Sequence, residues 1–194
     1  AALYWSDAER HRTGRADIEA TRRMLVGRAF DRLGLADREG ASKLADDYSR
    51  LRLQNMYLFP LSVPVLETLR RRGLYLALIT NGDAPGQRRK ITRFGLAPFF
   101  DLILVEGETG FGKPDRRIYQ HALDHFGCPA QQTLMAGDNL QWDVQAPAEL
   151  GIAGVWINTR NQPLPPDLQA DIEVVAGDLA GHEAIGRLQR LDGD

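Results

Sequence analysis

The chain has 194 residues, enough for one domain or for one domain with a small accessory one. Hydrophobic residues make up 43% and charged residues 26%, with a net charge of −2, which argues against a disordered or fibrous chain and leaves no global electrostatic case for nucleic acid or an anionic membrane. A single cysteine, Cys128, rules out an internal disulfide and a cysteine-based metal cage.

In chain order, residues 1 to about 60 read as helix only. Ile18, Leu25, Ala29 and Leu33 recur at helical spacing, and Gly34 supplies a left-handed stop. A second helix is predicted from Ala41 to Tyr57, with Leu44, Tyr48, Leu51 and Leu58 along one side. The run Arg10, Arg12, Arg15, Arg22, Arg23 and Arg28 reads as a solvated face, with a basic rim for an anionic substrate as the sharper alternative. After Pro60 the texture changes. A short helix carrying Val65, Leu66 and Leu69 ends at Gly73, and Leu74–Ile79 reads as a strand buried on both faces, too short to span a bilayer. Asp83 is placed to cap a helix with Pro85 in its first turn, running to Phe94. Leu102–Val105 is a second strand, Pro114 opens a helix that Gly127 stops, and Thr133–Ala136 and Gly154–Ile157 are further strands. Pro147 implies an irregular turn after Asp143, Ile172–Val175 reads as a fifth strand, and a last helix is predicted near Leu179–Leu191. Strands alternating with helices imply an α/β fold, a mainly parallel, Rossmann-like sheet covered on both faces. The organisation expected is a helical unit over residues 1–60 and an α/β core over residues 61–194. No signal-peptide pattern opens the chain, so the cytoplasm is the expected compartment.

Ligands of open parallel sheets bind at the carboxyl ends of the strands. The first strand ends in Thr80-Asn81-Gly82-Asp83, a hydroxyl and flexible amides leading into a helix, suited to an anion or serving as a plain helix start. The third ends in Gly137-Asp138-Asn139 with Asp143 five residues on, two carboxylates suited to Mg²⁺, or a cap and a surface acid. Between them Gly107-Glu108-Thr109-Gly110-Phe111-Gly112-Lys113-Pro114 nearly satisfies the phosphate-loop pattern, but Pro114 has neither the hydroxyl nor the N–H which that loop requires. The remaining singular residues take bland readings. His11, His121, His125 and His182 are scattered and read as surface or structural, Cys128 as a packed residue, and Trp142 as packing rather than stacking on a base or sugar.

The series Leu78-Ile79-Thr80-Asn81-Gly82, then Gly112-Lys113-Pro114-Asp115, then Met135-Ala136-Gly137-Asp138-Asn139 with Asp143 resembles the second, third and fourth motifs of the haloacid dehalogenase-like hydrolases. The helical residues 1–60 resemble the inserted cap of that superfamily's helical-cap branch. The resemblance implies that Thr80 hydrogen-bonds a phosphate oxygen with help from the amides of Asn81 and Gly82. It implies that Lys113 neutralises the phosphate and orients the nucleophile, and that Asp138 holds Mg²⁺ with Asp143 as a further ligand or its supporting partner. The implied substrate is a small phosphomonoester, hydrolysed through an aspartyl-phosphate. Metal-free dehalogenases of the family usually carry serine where this chain has Asp138, so the acid favours Mg²⁺ and phosphate.

One motif is not found. The family opens with a strand ending in D-x-D-x-[TV], whose first Asp is the nucleophile and whose second is the general acid/base. Phe100-Asp101-Leu102 begins in this way, but Ile103 and Val105 break the pattern, and Asp192-Gly193-Asp194 has no strand before it. The expectation is therefore either an N-terminally shortened piece lacking the central strand, and inactive by itself, or a fold that closes differently. A non-catalytic binding protein on the same fold is the alternative, and a phosphate-loop NTPase a more distant one.

Overall fold

The computed structural model describes residues 2–5, 7–166 and 172–176. The N-terminal part is helical: α1 (Ala2–Trp5), α2 (Ala8–Ala16), α3 (Ile18–Arg32) and α4 (Arg38–Gln54). Aspartates start three of these, Asp7, Asp17 and Asp37 each accepting a backbone N–H of the first turn and placing negative charge at the positive end of the helix. Gly34, at φ 71°, ends the α3 segment as the sequence implies.

The packing of α4 differs from its apolar pattern. Leu44, Tyr48 and Leu51 are 53%, 52% and 47% exposed, while Ala41 and Ala45 are buried. The adjacent stripe of small residues, Ala41, Ala45 and Ser49, lets α3 approach closely, with Ser49 Oγ accepting from Arg22 at 3.1 Å. That approach turns the large side chains outward. The helix also begins and ends earlier than its pattern suggests, at Asp37 and Asn55.

The remainder alternates: α5 (Ser62–Arg71), β1 (Ala77–Thr80), α6 (Ala84–Arg93), β2 (Leu102–Val105), α7 (Glu106–Thr109), α8 (Arg116–Phe126), β3 (Leu134–Gly137), α9 (Ala146–Ala148), β4 (Ala153–Asn158) and β5 (Ile172–Ala176). The first strand is shorter than its apolar run. Leu74 and Tyr75 are exposed lead-in, and ladder pairing begins only at Ala77, opposite Leu102. Pro114 does not open α8; Asp115 caps it instead, accepting from the Arg117 N–H at 3.0 Å. Ahead of Pro147 the chain winds as a π-helix over Leu140–Gln145, the irregular turn expected there. The helix predicted near Leu179–Leu191 and His182 lie outside the described residues.

All strand pairs are parallel, but among the described residues they form two sheets, β1–β2 and β3–β4–β5. No ladder joins β1 to β3. Apolar packing bridges them: Ile118, Tyr119 and Leu123 of α8 cluster with Ile79 and Leu104 from one sheet and with Met135 and Ile152 from the other side. No helix among the described residues is long and apolar enough to cross a membrane.

Candidate active site

Three strand ends, after β1, β2 and β3, converge through side-chain bonds. At the end of β1, Thr80 donates its hydroxyl to Gln87 Oε1 at 3.1 Å, and Gln87 returns its amide to the Asn81 carbonyl at 2.8 Å. Asn81 is spent on Lys113: its Nδ2 donates to the Lys113 carbonyl at 2.6 Å and its Oδ1 accepts the Lys113 N–H at 2.8 Å. Gly112 is required beside this pair, since a Cβ there would lie 2.5 Å from Asn81 Oδ1. Asp83 caps α6 through the Gly86 N–H at 2.7 Å.

Lys113 then reaches across to the third strand end. Its ammonium meets Asp143 Oδ1 at 2.6 Å, with the lysine 15% and the aspartate 2% exposed. The other Asp143 oxygen accepts the Asn139 N–H at 2.9 Å, and the carboxylate presses so closely on Gly137 that a Cβ there would lie 2.2 Å from it. Asn139 in turn caps the π-helix through the Trp142 N–H at 3.0 Å, and the Tyr119 hydroxyl donates to the Trp142 carbonyl. Burial, followed by the nearby Asp143 charge, pushes the Tyr119 phenol well above its ordinary range, so it stays a donor. Asp138 is the contrast. Its carboxylate is exposed and has no hydrogen bond or ion pair among the described residues, and its carbonyl accepts from Trp156 Nε1 at 3.1 Å. It opens onto a recess of about 380 Å³ lined also by Asn139, Leu140, Trp156, Asn158 and Arg160.

The sequence-derived residues are thus partly gathered. Asn81, Lys113 and Asp143 form one bonded chain, Thr80 joins it through Gln87, and Asp138 stands beside it without direct contact. The Gly82 amide, expected to face phosphate, instead donates to Glu106 Oε2 at 2.8 Å. Asp143 sits as a buried partner of Lys113, which fits the supporting role rather than that of a direct ligand. Among the described residues no three His, Cys, Asp or Glu side chains cluster as a metal cage. A single open carboxylate still fits Mg²⁺, an ion that keeps several waters and takes one or two carboxylates plus phosphate oxygens. Asp101, the nearest imitation of the missing motif, precedes β2 and accepts from the Leu76 N–H and Arg70, away from these strand ends.

Glu106 and Arg15 were not singled out by the sequence. Glu106 immediately follows β2, so the rule of strand ends applies to it as fully as to Thr80 and Asp138. It receives both the Gly82 N–H and a two-pronged contact from Arg15 of α2, at 3.1 and 2.8 Å. Arg15 lies 5.0 Å over the Trp142 ring and donates to His11 Nδ1 at 2.6 Å. The arginine run is therefore not uniformly solvated: Arg12, Arg15 and Arg23 each pair with a carboxylate, and Arg15 is largely buried. Burial, then the Arg15 charge, holds the His11 imidazole below its ordinary pKa, with Glu106 opposing.

The fold and this set of strand-end residues define a class, and comparison with known proteins identifies it. A sequence model of the haloacid dehalogenase-like hydrolases matches residues 4–151, and the chain belongs to that family. It is 41% identical over 141 residues to the phosphoserine phosphatase of Thermus thermophilus, covering 73% of this chain and 55% of that protein. It is 30% identical over 112 residues to the glyceraldehyde 3-phosphate phosphatase of Methanothermobacter thermautotrophicus, covering 58% and 50%. A 2-haloacid dehalogenase from Pseudomonas syringae superposes with a TM-score of 0.64 at 26% identity, covering 97% of this chain and 77% of that one. The chain spans about half the length of the curated relatives it matches. Membership removes the phosphate-loop NTPase reading. So does the geometry, because the Lys113 N–H that would cradle a phosphate is held by Asn81.

Proposed function

We propose that the complete protein is a Mg²⁺-dependent phosphatase of a small phosphomonoester. The observation that carries the reading is the strand end after β3, where the exposed carboxylate of Asp138 and the buried Asp143, which aims the Lys113 ammonium at 2.6 Å, leave the same strand. In this reading Asp138 holds the cation, which when bound would neutralise phosphoryl oxygens. Lys113 contributes the second positive charge, fixed by Asp143 and by its backbone clasp to Asn81, so little reorganisation is needed as charge develops. The Thr80 hydroxyl hydrogen, now donated to Gln87 Oε1, can rotate towards a phosphate oxygen and be donated there instead. The N-terminal helices serve as the cap, fastened to the core through Arg15 and Glu106.

The nucleophilic carboxylate, which would form an aspartyl-phosphate, is assigned to a strand paired between β1 and β3, and the 194 residues are proposed to lack turnover without it. A phosphatase fits the named activities of the two curated relatives better than dehalogenation does, since a dehalogenase needs no cation at the Asp138 position.

The test is p-nitrophenyl phosphate hydrolysis by the complete protein with Mg²⁺ and with excess chelator, beside the Asp138→Asn variant. Turnover that requires the cation and disappears in the variant supports the reading. Full activity in chelator overturns it, and absence of turnover by a well-folded complete protein favours the binding-protein alternative.

A further inference from the structure

Helix α6 docks against the N-terminal helices at two points. Near its middle, Arg89 pairs with Glu19 at the start of α3, at 2.8 Å. At its end, Arg93 donates to the carbonyls of Leu53, Gln54 and Met56 where α4 finishes. Lys90 lies between these points. Arg22 is one turn beyond Glu19 on α3, and Arg52 is in the last turn of α4, so both flank the same junction. The two arginines share one aromatic ring: Arg22 stacks over Tyr48 at 5.5 Å, and Arg52 reaches the Tyr48 hydroxyl at 3.5 Å.

These three cations have no carboxylate at ion-pair distance among the described residues, whereas Arg15, Arg23, Arg88 and Arg89 around them all have one. Lys90 has only a long contact to Gln87 Oε1, at 3.4 Å. Burial, then the charges of Arg52 and Arg22, pull the Lys90 pKa down, and Arg22 is lowered by burial and by Arg52. Asp83 opposes both shifts, but its carboxylate is spent on capping α6. Arg22 and Lys90 are half-buried and Arg52 is exposed beside them; like charges gathered at one junction without a paired carboxylate are unfavourable in the free protein and become favourable once an anion is placed among them. The position is informative too. The Gln87 oxygen that Lys90 touches is the same atom that receives the Thr80 hydroxyl, so one amide separates the cationic junction from the phosphate-binding end of β1.

We propose that Lys90, Arg22 and Arg52 form a subsite for a second anionic group on the substrate, a carboxylate or a further phosphoryl, while the first phosphoryl group sits at Thr80 and Lys113. The proposal rests on the phosphatase reading for the placement of that first group. The preferred substrate class is then a short phosphorylated acid or bisphosphate rather than a neutral phosphomonoester.

The test measures binding and turnover separately, on the complete protein with Mg²⁺. Calorimetry compares glycerol 3-phosphate with 3-phosphoglycerate, which differ by a carboxylate, and with 1,3-propanediol bisphosphate, which carries a second phosphoryl. The expected result is at least about tenfold tighter binding of one of the two probes that carry a second anionic group, the scale of a hydrogen bond to a charged group, and the preferred probe identifies the group. Lys90→Met should reduce that preference to near unity while leaving glycerol 3-phosphate binding unchanged. Arg52→Gln, at an exposed position that does not threaten folding, should reduce it by several-fold. Equal binding of all three probes by the unsubstituted protein, or a preference that survives both substitutions, overturns the proposal. A preference that is present and lost as described, with no hydrolysis of any probe, keeps the subsite and removes the phosphatase reading instead.

Discussion

The ends of β1 and β3 carry similar short polar sequences and are used in opposite ways. At β1 every polar group named by its motif has an internal partner: Thr80 bonds Gln87, Asn81 clasps Lys113, Gly82 bonds Glu106 and Asp83 caps α6. At β3 the second acid, Asp143, is equally consumed, but Asp138 is left open beside a recess. The difference separates groups that hold the site's shape from a carboxylate that has no internal partner among the described residues. A satisfied polar group resists reorganisation, whereas an exposed unpaired carboxylate retains its capacity for a cation.

The strongest way to break this contrast is at its open member. Asp138→Asn should reduce phosphatase activity of the complete protein by about 10³-fold or more, the effect of losing a cation's charge stabilisation, with an unchanged melting curve because nothing internal depends on that carboxylate. A drop in melting temperature would place Asp138 among the internal groups. Lys113→Ala should instead fail in both respects. Activity should fall by about 10²–10³-fold, and stability by about 3–5 kcal/mol, because Asp143 would be left buried without its counter-charge. Urea titration and turnover on the same sample check this. Normal stability in that variant would mean that the Asn139 N–H alone suffices to hold the Asp143 carboxylate in place.

Two smaller changes sharpen the comparison on its closed side. Asn81→Ala removes both arms of the Lys113 clasp and should lower stability by about 1–3 kcal/mol in urea titration. Gly137→Ala forces a methyl group against the Asp143 carboxylate and should cost about 1–3 kcal/mol of stability, with loss of activity as Asp143 is displaced. The smallest effect is a pH dependence. The folded-state pKa of His11 is depressed, so its contribution is fully present above the unfolded value of about 6.5 and is lost as pH falls through the lower folded value. The protection of α2 amides against hydrogen exchange, relative to the intrinsic rate at each pH, should therefore fall on acidification, and His11→Gln should flatten that response. An unchanged pH profile in the variant would show that His11 does not hold α2.

Much of this was legible because local chemistry agreed with the tertiary outcome. The Asp83 cap, the Gly34 and Gly127 stops and the β2 run needed only neighbouring residues, and Thr80, Lys113, Asp138 and Asp143 announced themselves by falling at strand ends or helix starts. What escaped depends on partners distant in sequence. Leu44, Tyr48 and Leu51 form a sound apolar stripe, yet α3 chose the smaller residues beside them because helices approach most closely over alanine. Arg15 resembles every other arginine in its run until Glu106, far along the chain, is brought to it. Glu106 itself was readable, since it directly follows β2, but the polar residue there is one acid among several and gains its meaning only from the Gly82 amide and Arg15.

Helix α8 touches both sheets, but it does so through apolar contacts, which slide and tolerate small changes of spacing because they have no preferred direction. It works as the coarse adjustment of the interval between the two halves. The directional contacts that cross the same interval run from Asn81 through Lys113 to Asp143, with lengths between 2.6 and 2.8 Å. Those three residues therefore provide the fine adjustment. One lysine spans the interval in two ways, by its backbone to Asn81 and by its ammonium to Asp143, so a change of its side chain would release one strand end while leaving the other clasped.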